Sequence, residues 1–189
     1  AFKVQGTLAI TNSAESEIDG VISDGDSAGI ITKAGNAKLT LSGNNTFTGA
    51  VTVNAGRLQI THANGLGGTD GATTVADGGR LNINGGLTIA EAITINGTGD
   101  SSKGALHFNG GNNTVSGNIT LGADAKIHSH IGTQTISGTI NGAHGLTITG
   151  TDDFTISGII GGSTVLDSVA ATITNSGTFT VGANITTSG

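Results

Sequence analysis

A short pattern recurs three times in the second half of the chain at nearly constant intervals. It begins at Thr114 (TVSGNI), at Thr135 (TISGTI) and at Thr155 (TISGII). A repeat of roughly 20 residues is typical of solenoids, in which each repeat is one coil that cannot bury an apolar face alone. The chain must therefore bury its repeats against one another.

Apolar and polar residues alternate within these repeats, which indicates β-strands rather than helices. Strict alternation places one set of side chains on each face of a strand. Gly, Asn or Asp follows nearly every alternating run and favours a turn there. No segment of about 10 or more residues keeps a convincing helical period. The alternating runs lie at residues 39–41, 51–53, 81–83, 93–95, 146–148 and 178–181.

An all-β chain with this period is predicted to form a parallel β-helix, a β-solenoid of about 20 residues per coil. Three strands of about 4–6 residues and short turns account for that length. Residues 1–189 would then form a single solenoid domain of about nine coils and about 45 Å, because stacked strands lie about 4.8 Å apart. An antiparallel sandwich also has many short strands, but it does not explain why the motif recurs at regular intervals of about 20 residues.

The composition agrees with narrow, regular coils and excludes several other classes of protein. The chain has 34 Gly and no Pro, Cys, Met, Trp or Tyr, so Ile, Val, Leu and Ala must fill its core. Without Cys there are no disulfides and no Cys-based metal or nucleophile sites. We expect no nucleic-acid partner, because the net charge is −6 and the seven Lys and Arg form no basic run. We also expect no membrane insertion of this segment, and its start at Ala1 indicates a processed product or an excised piece.

Residues 33–67 carry the most specific motif, KAGNAKLTLSGNNTFTGAVTVNAGRLQITHANGLG. This segment resembles the passenger-associated transport repeat of bacterial autotransporter passenger domains, also called the autotransporter-associated β-strand repeat. Phe47 stands where that family usually has Tyr, and Val51 stands one place before the usual Thr, here Thr52. The residues that match the repeat are Lys33, Gly35, Leu39, Leu41, Gly43, Asn45, Thr46, Gly49, Val53, Gly56 and Leu58.

The resemblance implies a fold, a location and a role. In that family the repeat lies in a right-handed parallel β-helix outside the cell, where it forms a stalk or adhesive rod and aids passage across the outer membrane. We therefore expect an extracellular protein, either on a bacterial cell surface or secreted. Its expected partners are neighbouring passenger coils, copies of itself, and a host or matrix surface.

We expect no cofactor and no metal. Two pairs of residues are nevertheless candidate metal ligands. His128 and His130 project from one face of a strand, where His107 or His144 on a stacked coil would be the third ligand. Asp24 and Asp26 lie in an Asp-Gly-rich run that lacks calcium-loop spacing. Solvent-facing histidines and a simple turn are the preferred interpretations.

We expect no enzymatic activity, because the acids do not form a catalytic pair. Asp152 and Asp153 are adjacent, and adjacent strand residues point to opposite faces. Glycan binding and ice binding through Thr-x-Thr pairs are further alternatives, although the intervals between those pairs are uneven.

The preferred function is that of a non-catalytic structural rod, a surface stalk or adhesin. The alternative is a subunit of an extracellular filament, joined end to end through unpaired strand edges. The predicted assembly edges are Phe2 and Val4 in the first strand and Phe179 and Val181 in the last.

Overall fold

The computed structural model describes residues 1–161, 166, 168–173 and 177–182. Within them the chain forms short strands and one 3₁₀ turn, Asp100–Ser102, and no helix is long and apolar enough to cross a membrane. The strands are β1 Phe2–Ile10, β2 Ser16–Ile18, β3 Ile22–Lys33, β4 Lys38–Leu41, β5 Val51–Val53, β6 Gly56–Ile60, β7 Thr73–Val75, β8 Gly79–Asn84, β9 Thr88–Ile89, β10 Ile93–Gly97, β11 Leu106–Gly110, β12 Thr114–Val115, β13 Ile119–Ser129, β14 Gln134–Ile136, β15 Ile140–Asn141, β16 Gly145–Gly150, β17 Phe154–Ile156, β18 Ser168–Ile173 and β19 Phe179–Val181.

Strands pair in parallel with strands one coil further along the chain. Ile31 pairs with Val51, Val51 with Thr73, and Thr73 with Ile93. Such pairing gives stacked coils of about 22 residues and about 8 turns. The predicted all-β solenoid is confirmed, and parallel pairing excludes the antiparallel sandwich. The coils are slightly longer and fewer than the sequence period indicated.

The strands stack in three rows that run along the molecule, and the third row begins only at β9. The first row contains β5, β7, β10 and the start of β13, and the second contains β4, β6, β8, β11 and the end of β13. The third row is a separate five-stranded sheet of β9, β12, β14, β17 and β19. Because β13 bends from the first row into the second, these two rows form one continuous sheet.

One loop lengthens the middle of the solenoid. Thr73 pairs with Ile93 and Ile93 pairs with Ile119, so the coil that begins at Ile93 is longer than the coil before it. The extra residues form the loop 97–104, which includes the 3₁₀ turn. Gly99 has φ of 76°, and a Cβ there would lie 2.1 Å from the carbonyl oxygen of Gly104. This close approach requires glycine, because an L side chain has neither the space nor the backbone conformation.

The core consists of aliphatic ladders, one for each row of strands. In the second row, Leu39, Leu58, Leu81, Leu106 and Ile127 occupy equivalent inward positions and are at most 1% exposed. Each such side chain contributes about 1.5–3 kcal/mol when fully buried. Phenylalanines also stack across coils, with ring centroids 5.8 Å apart for Phe108–Phe154 and 6.1 Å apart for Phe154–Phe179.

Buried polar side chains bond to the backbone at the corners of the coils. The Asn45 amide nitrogen donates to the Gly65 carbonyl oxygen (2.8 Å), and its side-chain oxygen accepts from the Ile22 backbone nitrogen (2.9 Å). Lys33 is fully buried, and its Nζ donates to the carbonyl oxygens of Gly35 and Ala55. These side chains satisfy turn carbonyls and amides that strand pairing leaves open.

Candidate functional site

Cationic side chains gather on the outer face of the second row. Lys38, Arg57 and Arg80 occupy one register position on three successive coils. Lys126 occupies the equivalent position two coils beyond Arg80. The coil between Arg80 and Lys126 pairs through its backbone with the strands that carry these two residues. Lys103 comes from the loop 97–104, which precedes that intermediate coil. The face therefore carries five of the seven Lys and Arg in the chain.

A second row of polar side chains lies beside these cations. Gln59, Asn82, His107 and His128 are register partners on four successive coils. The Nδ1 atom of His107 lies 3.2 Å from Oδ1 of Asn82, and Nδ1 of His128 lies 2.8 Å from Oγ1 of Thr149. Because an amide oxygen only accepts, Nδ1 of His107 carries the proton and its Nε2 has a free lone pair.

The two rows and the loop together enclose a groove of about 380 Å³. We call this surface the cationic groove. It is lined by Lys38, Arg57, Gln59, Arg80, Asn82, Ser101, Lys103, His107, Asn109, His128 and His130.

Two carboxylates offset part of the charge in the cationic groove. Glu15 lies 3.0 Å from Nζ of Lys38 and 3.5 Å from Nη2 of Arg57. Asp100 lies 3.1 Å from Nη2 of Arg80 and 3.6 Å from Nε of Arg57. Four cations, Lys38, Arg57, Arg80 and Lys103, line the groove against these two carboxylates, so the groove keeps a positive balance although the whole chain has a net charge of −6.

Buried nitrogen atoms without a hydrogen-bond partner cluster in the wall of the cationic groove. They are Nε of Arg57, Nε of Arg80 and Nε2 of His107, within the described part of the chain. Arg80 is 5% exposed and His107 is 6% exposed. Each unmet bond at a buried polar atom costs about 1–3 kcal/mol. The groove wall therefore has hydrogen-bonding capacity that the protein itself does not use.

Two histidines of the groove, His107 and His128, are neutral at physiological pH. Burial, assisted by nearby cations, lowers the pKa of His107 to about 3. Burial also lowers the pKa of His128 to about 4, again with help from Lys103 and Lys126. Neutral imidazoles offer one donor and one acceptor each, which suits hydroxyl ligands.

Among the predicted metal ligands, the structure brings together three histidines. The ring centroid of His107 lies 5.1 Å from that of His128 and 6.4 Å from that of His130. No group of three or more His, Asp or Glu in residues 1–161, 166, 168–173 and 177–182 is arranged to hold a metal ion. His144 lies in the turn before β16 and is not among the residues that line the groove.

Asp24 and Asp26 lie within β3, at the register shift between β1 and β3, and not in a turn. The Asp24 carboxylate accepts hydrogen bonds from the Gly29 backbone nitrogen (2.7 Å) and from Oγ1 of Thr48 (2.8 Å). The Gly29 bond and then the Thr48 bond lower the pKa of Asp24. This carboxylate therefore links adjacent coils. Asp26 is exposed.

Asp152 and Asp153 also link coils. Asp152 accepts from the Gly132 backbone nitrogen at 2.9 Å on one side, and Asp153 accepts from the Thr178 backbone nitrogen at 2.8 Å on the other. The two carboxylates are thus engaged in opposite directions along the rod.

The predicted assembly edges lie on strands at the ends of the two sheets. Phe2 and Val4 belong to β1, which ends the fourteen-stranded sheet, and Phe179 and Val181 belong to β19, which ends the five-stranded sheet. Phe2 is 53% exposed, whereas Val4 is only 4% exposed and packs into the core.

The cationic groove was not recognised from the sequence, where the cations are scattered. A signal is nevertheless present, because Lys38, Arg57, Arg80, Lys103 and Lys126 recur at nearly equal intervals along the chain. Each interval is close to one coil of about 22 residues, as expected for residues at one register position, although Lys103 lies on the loop beside that position.

Comparison with known families identifies one segment. Residues 31–60 match the family model of the passenger-associated-transport-repeat, which confirms the resemblance found in the sequence. The matched segment spans the end of β3 through β6, about one and a half coils. Comparison with curated proteins and with solved structures found no match.

Proposed function

We propose that this chain is a section of a non-catalytic structural rod, displayed at a bacterial surface or secreted in the manner of an autotransporter passenger. The observation that carries the proposal is continuous parallel pairing of coil on coil, from β1 through β19, over one aliphatic core. The match of residues 31–60 to the passenger-associated-transport-repeat supports the route to the surface.

The hydrogen-bonding pattern suits a load-bearing or spacing role. Backbone hydrogen bonds between coils run along the rod axis, and each coil bonds to the coil before and the coil after. Side chains such as Asp24 and Asp152 add further links between coils. Such a rod places whatever it carries at a fixed distance from its anchor.

A secretion assay with two matched variants tests this proposal. The chain is fused between a secretion signal and the translocating domain of a bacterial autotransporter, and surface protease treatment is followed by immunoblotting. Val51→Asp places a charge in the core, whereas Thr52→Asp places the same charge on the outer face of the same strand. Wild type and Thr52→Asp should yield a surface-exposed, protease-resistant fragment near 18.4 kDa, and Val51→Asp should not. Equal display and resistance of the two variants, or digestion of the wild type to small peptides, would contradict the proposal.

A filament is the second candidate function, and the β1 edge favours it. β1 pairs only with β3 among the described strands, so its other edge is open to a further strand. Unpaired edges readily accept a strand from another chain. The added strand would come from a neighbouring coil of a longer chain or from a second copy.

Negative-stain electron microscopy of the purified chain over a range of concentrations distinguishes these two sources. If the chain is a filament subunit, wild type and Ile159→Asp should both form fibres of uniform width. Ile159 is about as exposed as Phe2 but lies away from β1. Phe2→Asp should abolish the fibres. Single short rods at every concentration, or fibres that both variants lose equally, would remove the filament candidate.

A further inference from the structure

We propose that the cationic groove binds a carboxylated glycan, an extended polysaccharide with uronic acid units, which lies along the rod axis across five coils. This ligand-binding activity adds to the structural role, and it does not depend on how the rod reaches the surface.

The spacing of the cations matches a linear polymer. Lys38, Arg57 and Arg80 lie on successive coils, and stacked strands are about 4.8 Å apart, so five coils place cations along about 19 Å. The step of about 4.8 Å from one coil to the next is comparable with the length of one sugar unit in an extended glycan. One cation can therefore meet each acidic sugar unit in turn.

Two carboxylates of the protein itself already lie against the cations of the groove. Glu15 and Asp100 lie against Lys38, Arg57 and Arg80 at 3.0–3.6 Å, and so show the position that a ligand carboxylate would take beside these donors. Guanidinium groups bind carboxylates through charge-assisted hydrogen bonds. Lys103 forms no ion pair with a described residue, and Lys126 bonds only to the carbonyl oxygen of Ser102 (3.0 Å) among the described residues. Lys103 in the groove, and Lys126 in the adjoining pocket that Lys103 and His128 also line, are available to a ligand.

The remaining groups of the groove suit sugar hydroxyls. Gln59, Asn82 and Asn109 offer amide donors and acceptors on one wall. The unpartnered Nε2 of His107 accepts a hydrogen bond, and the unpartnered Nε of Arg80 donates one, once a small shift of either side chain brings it to the ligand. A glycan supplies both hydroxyls and carboxylates, and it meets both requirements.

Two other anionic partners fit this surface less well. Single-stranded nucleic acids are held largely by bases that stack on aromatic rings, but the chain has no Trp or Tyr and no Phe lines the groove. A membrane surface favours apolar side chains beside the basic ones, and no large aliphatic side chain lines the groove. A groove lined by polar side chains with cations on successive coils favours a hydrophilic chain.

Titration calorimetry of the full chain with oligogalacturonate tests the inference. Lys103→Gln removes an exposed cation of the groove, and Lys3→Gln removes an exposed cation on β1 with the same change in net charge. Loss of one charge-assisted contact should weaken binding about tenfold in Lys103→Gln. Lys3→Gln should bind as wild type does. Circular dichroism checks that both variants keep the fold.

Several results would overturn the inference. They are an absence of oligogalacturonate binding by the wild type, an equal loss of affinity in Lys3→Gln and Lys103→Gln, and equally tight binding of a neutral maltooligosaccharide. Tighter binding of a single-stranded oligonucleotide, or of vesicles that contain phosphatidylserine, would assign the groove to another class of partner and overturn it as well.

Discussion

Buried polar side chains stabilise the corners of the coils. Asn113 is 1% exposed, and its Oδ1 accepts from the backbone nitrogens of Gly86 (3.0 Å) and Leu87 (2.9 Å) on the preceding coil. Gln134 on the following coil is fully buried, and its Oε1 accepts from the Asn113 amide at 2.9 Å. The two amides therefore connect three coils through one chain of hydrogen bonds.

Asn113→Ala should lower the free energy of unfolding by roughly 2–4 kcal/mol, because it removes five hydrogen bonds made by a buried side chain. Asn112→Ala is the matched control. Asn112 is exposed, and its Oδ1 accepts only from the Thr133 backbone nitrogen among the bonds found (2.9 Å). Urea unfolding followed by circular dichroism measures both variants. Equal losses would show that the buried amide chain adds nothing beyond an ordinary surface bond.

Glu91 introduces a dependence of stability on pH. Its side chain is 4% exposed, Oγ1 of Thr73 donates to Oε1 at 2.8 Å, and Oε2 has no partner. Burial raises the pKa of Glu91 from 4.5 to about 8, against the effect of the Thr73 bond. The folded state thus prefers the protonated form, so stability is full below pH 4.5 and is lost as the pH rises towards 8.

Glu91→Gln should remove this loss, because the amide is neutral at every pH and keeps the shape of the side chain. At pH 8 we expect the variant to be more stable than wild type by roughly 2–4 kcal/mol, and at pH 4 to be about equal. Thermal unfolding between pH 4 and pH 8 measures the difference, with Glu17→Gln as an exposed control. A constant offset between wild type and Glu91→Gln across this range would contradict a titrating Glu91.

The buried polar residues at the corners of the coils are only partly predictable from the sequence. Lys33 and Asn45 belong to the repeat motif, so the motif marks them as important. Their polarity, however, predicts a surface position. They are buried because turn carbonyls and amides at the corners require partners inside the coil, and this requirement becomes visible only when the coils are stacked.

At the scale of elements, the loop 97–104 is an insertion into an otherwise regular coil. The Gly104 backbone nitrogen donates to the Thr98 carbonyl oxygen (2.8 Å), so the two ends of the loop meet. Asp100 at the tip reaches Arg57 and Arg80 of the two preceding coils. The loop thereby forms one wall of the cationic groove without taking part in the core.

Deletion of residues 99–103 should therefore keep the fold. It shortens the coil between Ile93 and Ile119 to nearly the length of its neighbours. The deletion removes the ion pair between Asp100 and the buried Arg80, so the stability should fall by up to roughly 3 kcal/mol while the fold is kept. Far-UV circular dichroism and urea unfolding test this, with deletion of residues 134–138 as a control that removes β14. Unfolding of the loop deletion would show that the loop is part of the core.

The histidine pair on β11 and β13 should make the fold sensitive to acid. The pKa values of His107 and His128 in the folded state lie below the ordinary value of 6.5. The unfolded state therefore binds more protons, and stability decreases as the pH falls from 6.5 towards 4. The double variant His107→Asn/His128→Asn should reduce the slope of stability against pH in this window. An unchanged slope in the double variant would contradict the burial of neutral imidazoles.

The strands themselves were predictable, and the groove was not. Alternation at 39–41, 51–53 and 93–95 marks real strands with the apolar residues inward. The loop 97–104 has no such pattern. The predicted coil count was too high because the coils average about 22 residues rather than 20. The regular interval between the cations acquires meaning only once the register of the coils is known.

At the scale of the whole molecule, the coils stack in order along one axis. That order brings residues one coil apart into contact, creates the row of cations and places the β1 edge at one end of a sheet. The rod, the filament and the glycan groove all require it.

Distances between spin labels on the first row measure this order directly. The chain has no Cys, so pairs of Cys can be introduced at outward positions without interference. Ala9 is linked by successive register pairs to Thr74, Thr94 and Thr120, which lie three, four and five coils away. The account predicts backbone separations of about 14, 19 and 24 Å, in equal steps of about 4.8 Å. Distances that do not increase in equal steps with coil number would contradict the stacked solenoid.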